Sequence, residues 1–307
     1  MSGISTNRTN ITLPTQIAAE ILQKTQDQSA VMRLARRITL PGNGLTIPMI
    51  TGDPEAAWVD ETDKKPVSNP TLSQKVMKGY TLAVIVPFSN QFRRDLPSLY
   101  GALVERLPLA LAGKFDATVF NGPAPGTGFD TFAAITAESV DAAGENGGIY
   151  GALVAADGDI AAAGGILNGF ALSPQAKSIM LSAEDSTHRP LFINNVSEGA
   201  IPMLLGAPAY YSKGIYGAGN AASGTSGSSG YVPAKADMLG VAGDWTQAMY
   251  GVVEGVNIDL SDQATLSIND SAVNLWERNM FAVRAEIEIG FCADTDCFVK
   301  LTRTHSA

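Results

Sequence analysis

Two cysteines and two histidines are the whole supply of thiol and imidazole in this 307-residue chain, which narrows its chemistry at once. Cys292 and Cys297 stand five apart in a segment that reads as strand, with His188 and His305 elsewhere, so the spacing makes neither a zinc site nor a disulfide framework. Both thiols are expected to be free, in a reducing compartment, with one packed as a small hydrophobe. His188 precedes Arg189 and Pro190 with no serine or cysteine partner in view, and reads as a surface histidine. The glycine run GPAPGTG at 122–128 lacks the preceding strand and the Lys-Ser/Thr ending of a phosphate loop, which makes it a turn. Asp157-Gly158-Asp159 and Asp294-Thr295-Asp296 are too short for a calcium loop of the EF-hand kind. Hydrolytic and metal chemistry are therefore poorly supplied, and no metal or cofactor is expected.

The elements that hold these residues belong to a protein able to bury a sizeable core, since 45 % of the chain is hydrophobic. The length allows one large domain or two ordinary ones. A formal net charge of −9 argues against dedicated nucleic-acid binding, because phosphate neutralisation needs clustered Lys and Arg that are not evident along the chain. The N-terminus lacks the apolar stretch of a signal peptide and no window approaches a membrane span, so a cytoplasmic protein is expected.

Apolar positions Ile17, Ile21, Leu22, Val31 and Leu34, interrupted at 23–29, predict a short helix and then a second piece lying across another element. Residues 40–44 (LPGNG) signal a turn before a strand at 45–50, and 80–88 is a continuous apolar strand. These two strands frame a polar run at 56–75 (AAWVDETDKKPVSNPTLSQK) as the legs of a long hairpin. Asp95 caps the clearest helix, with Pro97 in its first turn, Leu96, Leu99, Leu103, Leu107, Leu111 and Phe115 at three- or four-residue spacing, and Asn121-Gly122 ending it. Pro108 is expected to bend that helix. Phe170 to Leu172 predicts a strand feeding a helix capped by Ser173, and 217–230 (GAGNAASGTSGSSG) a flexible loop. Strands are predicted at 238–241, 252–258 and 280–289. The last alternates strictly, with Val283, Ala285, Ile287 and Ile289 facing the core and Arg284, Glu286 and Glu288 the other side.

An arm, a polar hairpin carrying Trp58-Val59-Asp60-Glu61, the strand at 80–88, the long helix and the late alternating strand after Asn279-Met280 together resemble the major capsid protein of tailed bacteriophages with the HK97 fold. The resemblance covers nearly the whole chain and is closest over 60–128 and 274–300. It rests on order and spacing, not on any one motif. It implies an α+β, HK97-like capsid fold: an N-terminal arm (1–44), an extended loop with its flanking strands (45–88), a spine helix of the peripheral domain (89–128), an axial domain (129–270) and C-terminal peripheral-domain strands (271–307). The implied role is a self-assembling icosahedral shell of pentamers and hexamers around double-stranded DNA, bound without sequence preference. It would lie in the virion after assembly in the bacterial cytoplasm, with a separate scaffolding protein (or a leader already removed), a portal and a decoration protein as partners. An encapsulin-like nanocompartment is the near alternative and a cytosolic enzyme the distant one.

The resemblance also implies site residues. Trp58, Glu61, Lys64 and Lys65 fall in the loop that would touch a neighbouring subunit, Trp58 as an aromatic anchor. In cross-linking members a loop lysine joins an asparagine of another subunit with a glutamate as base, and the matching positions are Lys65, Asn279 and Glu286. The departure is Arg284, where that pattern has an aliphatic residue. It is placed to pair with Glu286 and lower its basicity. Apart from this autocatalytic bond no enzyme activity is expected.

Overall fold

The computed structural model describes residues 15–52, 58–59, 71–91, 96–141, 148–184, 203–223, 231–268 and 271–305. The chain enters through helix α1 (Thr15–Gln28), is broken at Ser29 and resumes as α2 (Ala30–Leu34). The break has a local cause: Ser29 is extended, and its hydroxyl accepts from the Met32 amide at 3.2 Å, capping the second helix. The second piece is helical, but the first helix runs through the polar stretch at 23–28 that the sequence reading took as an interruption, and only Ser29 breaks it.

Helix α3 (Leu96–Phe120) is the long one, and it runs through Pro108 as a single element. Leu103, Leu107, Leu111 and Phe115 are buried as their spacing predicts, joined by Val104, Ala112 and Val119. That stripe packs on the inner face of a four-stranded sheet ordered β1 (Arg36–Thr39), β10 (Ala248–Ser261), β13 (Met280–Ala293) and β4 (Tyr80–Ser89). β1 runs parallel to β10 and the other pairs are antiparallel. The alternation in β13 holds: Val283, Ala285, Ile287 and Ile289 are buried and Arg284 is exposed.

A second, six-stranded sheet is ordered β5 (Ala137–Ser139), β14 (Phe298–Arg303), β9 (Asp237–Gly243), β6 (Gly169–Leu172), β8 (Ala207–Tyr211) and β7 (Met203–Leu204). Helices α4 (Gly148–Ala162) and α5 (Pro174–Leu181) form a separate core against it. Ser173 caps α5 as the sequence predicts, accepting from the Ala176 amide at 3.2 Å. The sheets do not divide at residue 270. β10 precedes that boundary and lies in the four-stranded sheet, while β14 follows it and lies in the six-stranded one. Phe132 sits at the seam, with ring centroids 4.7 Å from Phe298, 5.5 Å from Phe291 and 5.9 Å from Trp245.

Asp116 of α3 is fully buried and ties three segments together. It accepts from the Ser29 hydroxyl at 2.5 Å, the Ala30 amide at 3.0 Å and the Ser212 hydroxyl at 2.7 Å. Burial raises its pKa above the ordinary carboxylate value, against the pull of these hydrogen bonds.

Two expectations need correction. The partner of β2 (Leu45–Gly52) is β3 (Thr71–Met77), inside the run read as polar loop, whereas β4 leaves the hairpin to pair with β13. β3 escaped notice because TLSQKVM lacks apolar alternation, as befits a strand with little of its own chain to cover it. The stretch read as a flexible loop from 217 is also paired: Gly217, Asn220 and Ser223 bridge Met238, Lys235 and Val232. Among the described residues no helix is long and apolar enough to cross a membrane.

Candidate assembly surface

The hairpin β2–β3, like that of β11 (Thr265–Ile268) and β12 (Ser271–Asn274), pairs with no other strand among the described residues. Its ladder runs from Leu45 opposite Met77 to Gly52 opposite Thr71, and it forms a sheet of two strands alone. At about 3.3 Å per residue, the six steps from Met77 to Thr71 carry its far end about 20 Å from the root. The root is well seated. Met77 is fully buried in a small cluster with Leu40, Met249 and Cys292. Backbone walls this seat. A Cβ on Gly290 would lie 2.6 Å from the Lys78 carbonyl oxygen, and Gly44, at φ +84°, has the Met77 carbonyl 2.8 Å from where its Cβ would be. Two residues farther out, Lys75 Nζ donates to the Ala293 carbonyl at 2.6 Å and pairs with Asp130 Oδ2 at 3.2 Å. Beyond the ladder, Trp58 is fully exposed. Glu61, Lys64 and Lys65 lie outside the described residues, as does His188.

Asn279 closes the turn leading into β13, in the left-handed region at φ +52°, with its amide bonded to the Trp276 carbonyl at 3.3 Å. Its side-chain Oδ1 accepts from Asn90 Nδ2 at 2.7 Å, and its carbonyl accepts from the Asn90 amide at 3.0 Å. Sequence reasoning missed Asn90, which has no distinguishing spacing and meets Asn279 only because β4 ends beside β13. Glu286 lies seven residues along β13, about 23 Å away at strand rise, so one subunit does not bring the two together. Arg284 Nε pairs with Glu286 at 3.2 Å, as the sequence suggests, and its Nη2 reaches Asp259 Oδ2 at 2.7 Å. The Asp259 hydrogen bond, then the Glu286 charge, holds the Arg284 pKa above its ordinary value.

Cys292 and Cys297 are buried free thiols, as expected. Burial, followed by the Asp130 carboxylate, pushes the Cys292 pKa up to about 12, so this thiol serves packing rather than reactivity. Among the described residues no group of three or more potential ligands could hold a metal ion. The reading of the basic residues as unclustered needs correction: Arg33 and Arg36 line one groove and Arg37 follows on β1. The signal was in the sequence, as three arginines within five positions.

Comparison with known proteins agrees with this architecture. The sequence model described as the phage capsid family matches residues 9–292. The probable major capsid protein of Mycobacterium phage L5 is 31% identical over 304 residues, covering 93% of this chain and 87% of that protein. The major capsid protein of Staphylococcus phage 80alpha is 22% identical over 94% of this chain and 84% of its own length. Among solved structures, a chain from Mycobacterium phage Adephagia superposes with a TM-score of 0.68 at 18% identity, over 91% of each chain. One from Gordonia phage Cozz gives 0.67 at 21%, over 91% of this chain and 87% of that one. The fold is HK97-like, the role is structural and its place is the virion. The chain belongs to the phage capsid family, as a shell-forming major capsid protein.

Proposed function

We propose that copies of this chain close into pentamers and hexamers, with β2–β3 reaching over a neighbouring subunit and Trp58 as its anchor. The observation that carries this reading is the hairpin itself: seated at one end, paired among the described residues only within itself, and followed by a fully exposed tryptophan. An aromatic so exposed gains its burial from a partner. On this reading the four-stranded sheet with α3 is the peripheral domain, the six-stranded sheet with α4 and α5 the axial domain, and the residues before β2 the arm. A separate scaffolding protein directs assembly in the host cytoplasm, a portal and a decoration protein complete the particle, and the acidic shell encloses double-stranded DNA without gripping it. Negative-stain micrographs of the chain expressed with its scaffold test the reading, since closed shells of uniform size are expected. Trp58→Ala is expected to leave the subunit folded by circular dichroism while reducing shell yield. Loss of folding together with assembly would place Trp58 in its own subunit's core instead.

The covalent version adds one bond between subunits. A neutral Lys65 amine adds to the Asn279 carboxamide carbon while Glu286 takes a proton. The carbon–nitrogen bond to Nδ2 then breaks and ammonia leaves, so an amide is exchanged for an amide with no oxidant or cofactor. Charge developing on Oδ1 meets the Asn90 Nδ2 donor already 2.7 Å away. The separation along β13 requires Asn279 and Glu286 to come from different subunits. Arg284 opposes the reaction by keeping the Glu286 carboxylate occupied in an ion pair.

A further inference from the structure

The groove between the α2–β1 junction and β8 is walled by Arg33, Leu34 and Arg36 on one side and Pro208 and Tyr210 on the other, over Trp245, and encloses 480 Å³. Its cations are held but not neutralised. The Arg33 guanidinium lies 4.6 Å over the Tyr210 ring, and Arg36 Nη2 rests on Met249 Sδ at 3.2 Å. No carboxylate among the described residues forms an ion pair with either arginine. Trp245 is buried and donates its indole N–H to the Gly169 carbonyl at 3.0 Å, so the floor is fixed and apolar. In a chain of net charge −9, unneutralised arginines beside aromatic surface need an anionic partner that also brings apolar area.

The chain carries one at the far end of its own hairpin. Residues 53–63 (DPEAAWVDETD) hold five carboxylates, no lysine or arginine, and Trp58. Within one subunit Trp58 is fully exposed and does not fill the groove. Met77 at the hairpin root packs with Met249, the strand partner of Arg36, so the groove lies at the root end. The acidic segment begins at the other end of a ladder about 20 Å long. We propose that the Arg33–Arg36 groove of one subunit receives the acidic, tryptophan-bearing segment 53–63 of a second copy. The contact is head to tail, the kind that closes into rings when the rotation per subunit divides a full turn. This rests on the shell-forming reading above and supplies the seat for its hairpin. Duplex DNA is the disfavoured occupant, because the acidic body repels a polyanion and the apolar floor has nothing to offer a phosphate backbone.

A fluorescein-labelled peptide of residues 53–63 is titrated against the full-length unassembled chain by anisotropy, at two salt concentrations. Binding that weakens with salt is expected, with Arg33→Glu/Arg36→Glu lowering affinity at least about tenfold. A peptide carrying Asp60→Lys and Glu61→Lys is expected to recover binding to that variant. Arg33→Gln/Arg36→Gln, milder toward the fold, weakens the unmodified peptide in the same direction. No binding by the wild type, binding indifferent to the arginines, or duplex DNA displacing the peptide from them overturns the proposal. Sedimentation of the wild type expressed with its scaffold is read in parallel: peptide binding without closed shells would sink the pentamer-and-hexamer reading and leave the groove's assignment standing, whereas closed shells without peptide binding would do the reverse.

Discussion

Asp116→Ala removes one carboxylate from the middle of α3, and its cost follows from what that carboxylate accepts. The Ala30 amide is left buried without an acceptor, at about 1–3 kcal/mol. The Ser29 and Ser212 hydroxyls lose their acceptors, at about 1 kcal/mol each, partly recovered because hydroxyls rotate. Against these stands relief from burying a charge, which is what raises the Asp116 pKa. The sum is a loss of about 3 kcal/mol, or about 6–12 °C in Tm for a domain of this size class, read by thermal and urea unfolding of the unassembled subunit. Asp116→Asn keeps an acceptor for the amide and is expected to cost less. The two forms also separate by pH. A carboxyl raised in the folded state contributes stability that is complete below its unfolded pKa of about 3.9 and is lost as pH rises through the folded pKa. Wild type should therefore gain on Asp116→Asn as pH falls through that window. A wild type-to-alanine difference under 1 kcal/mol, or a wild type-to-asparagine difference that ignores pH, would refute the reasoning.

The cross-link is read on denaturing gels of boiled mature particles: multimer ladders that vanish in Lys65→Arg or Asn279→Asp support it, and a single band near 32.1 kDa sinks it. If ladders form, Asn90→Ala is expected to slow them by one to two orders of magnitude, about the lower part of the range for losing an oxyanion donor. With a pKa of about 12, Cys292 is thiolate in about one molecule in ten thousand at pH 8, and both cysteines are buried. Maleimide is expected to label neither thiol quickly in the native subunit and both in denaturant, and fast native labelling would contradict the packing described.

The parts of the fold visible in the sequence are those whose signal is local. The α3 stripe from Leu103 to Phe115, the Ser173 cap and the β13 alternation each depend on spacing within one segment, and each is found in place. Strand pairing was harder, because a ladder joins residues distant in sequence. An apolar strand such as β4 looks like a suitable leg for any neighbour, and the true leg, β3, is polar because its own chain leaves much of it uncovered. Asp116 could not be singled out from one acidic residue in an apolar helix, since its role exists only where Ser29 and Ser212 converge from 87 and 96 residues away. Of the candidate site, Trp58, Asn279 and Glu286 were legible through order alone, but Asn90, Lys75 and the groove formed by α2, β1 and β8 are products of tertiary arrangement.

Once its far end is held by another subunit, β2–β3 behaves as a beam on two supports. Met77 and Lys75 are two residues apart on β3 and so share a face, about 6.6 Å from one another, while Thr71 is about 20 Å from Met77. A pull at Thr71 that lifts the hairpin off the body therefore loads the Lys75 contacts about threefold. The ion pair is about a third exposed to water and gives first, whereas Met77 is enclosed by backbone that no rotamer change can move. Lifting thus swings the hairpin about Met77 without unseating it, and pressing it down meets Asp130 and the end of β13. Such a joint is compliant in one sense of bending and stiff in the other, so a shell built from it yields in the direction that stretches Lys75 and resists the direction that compresses it.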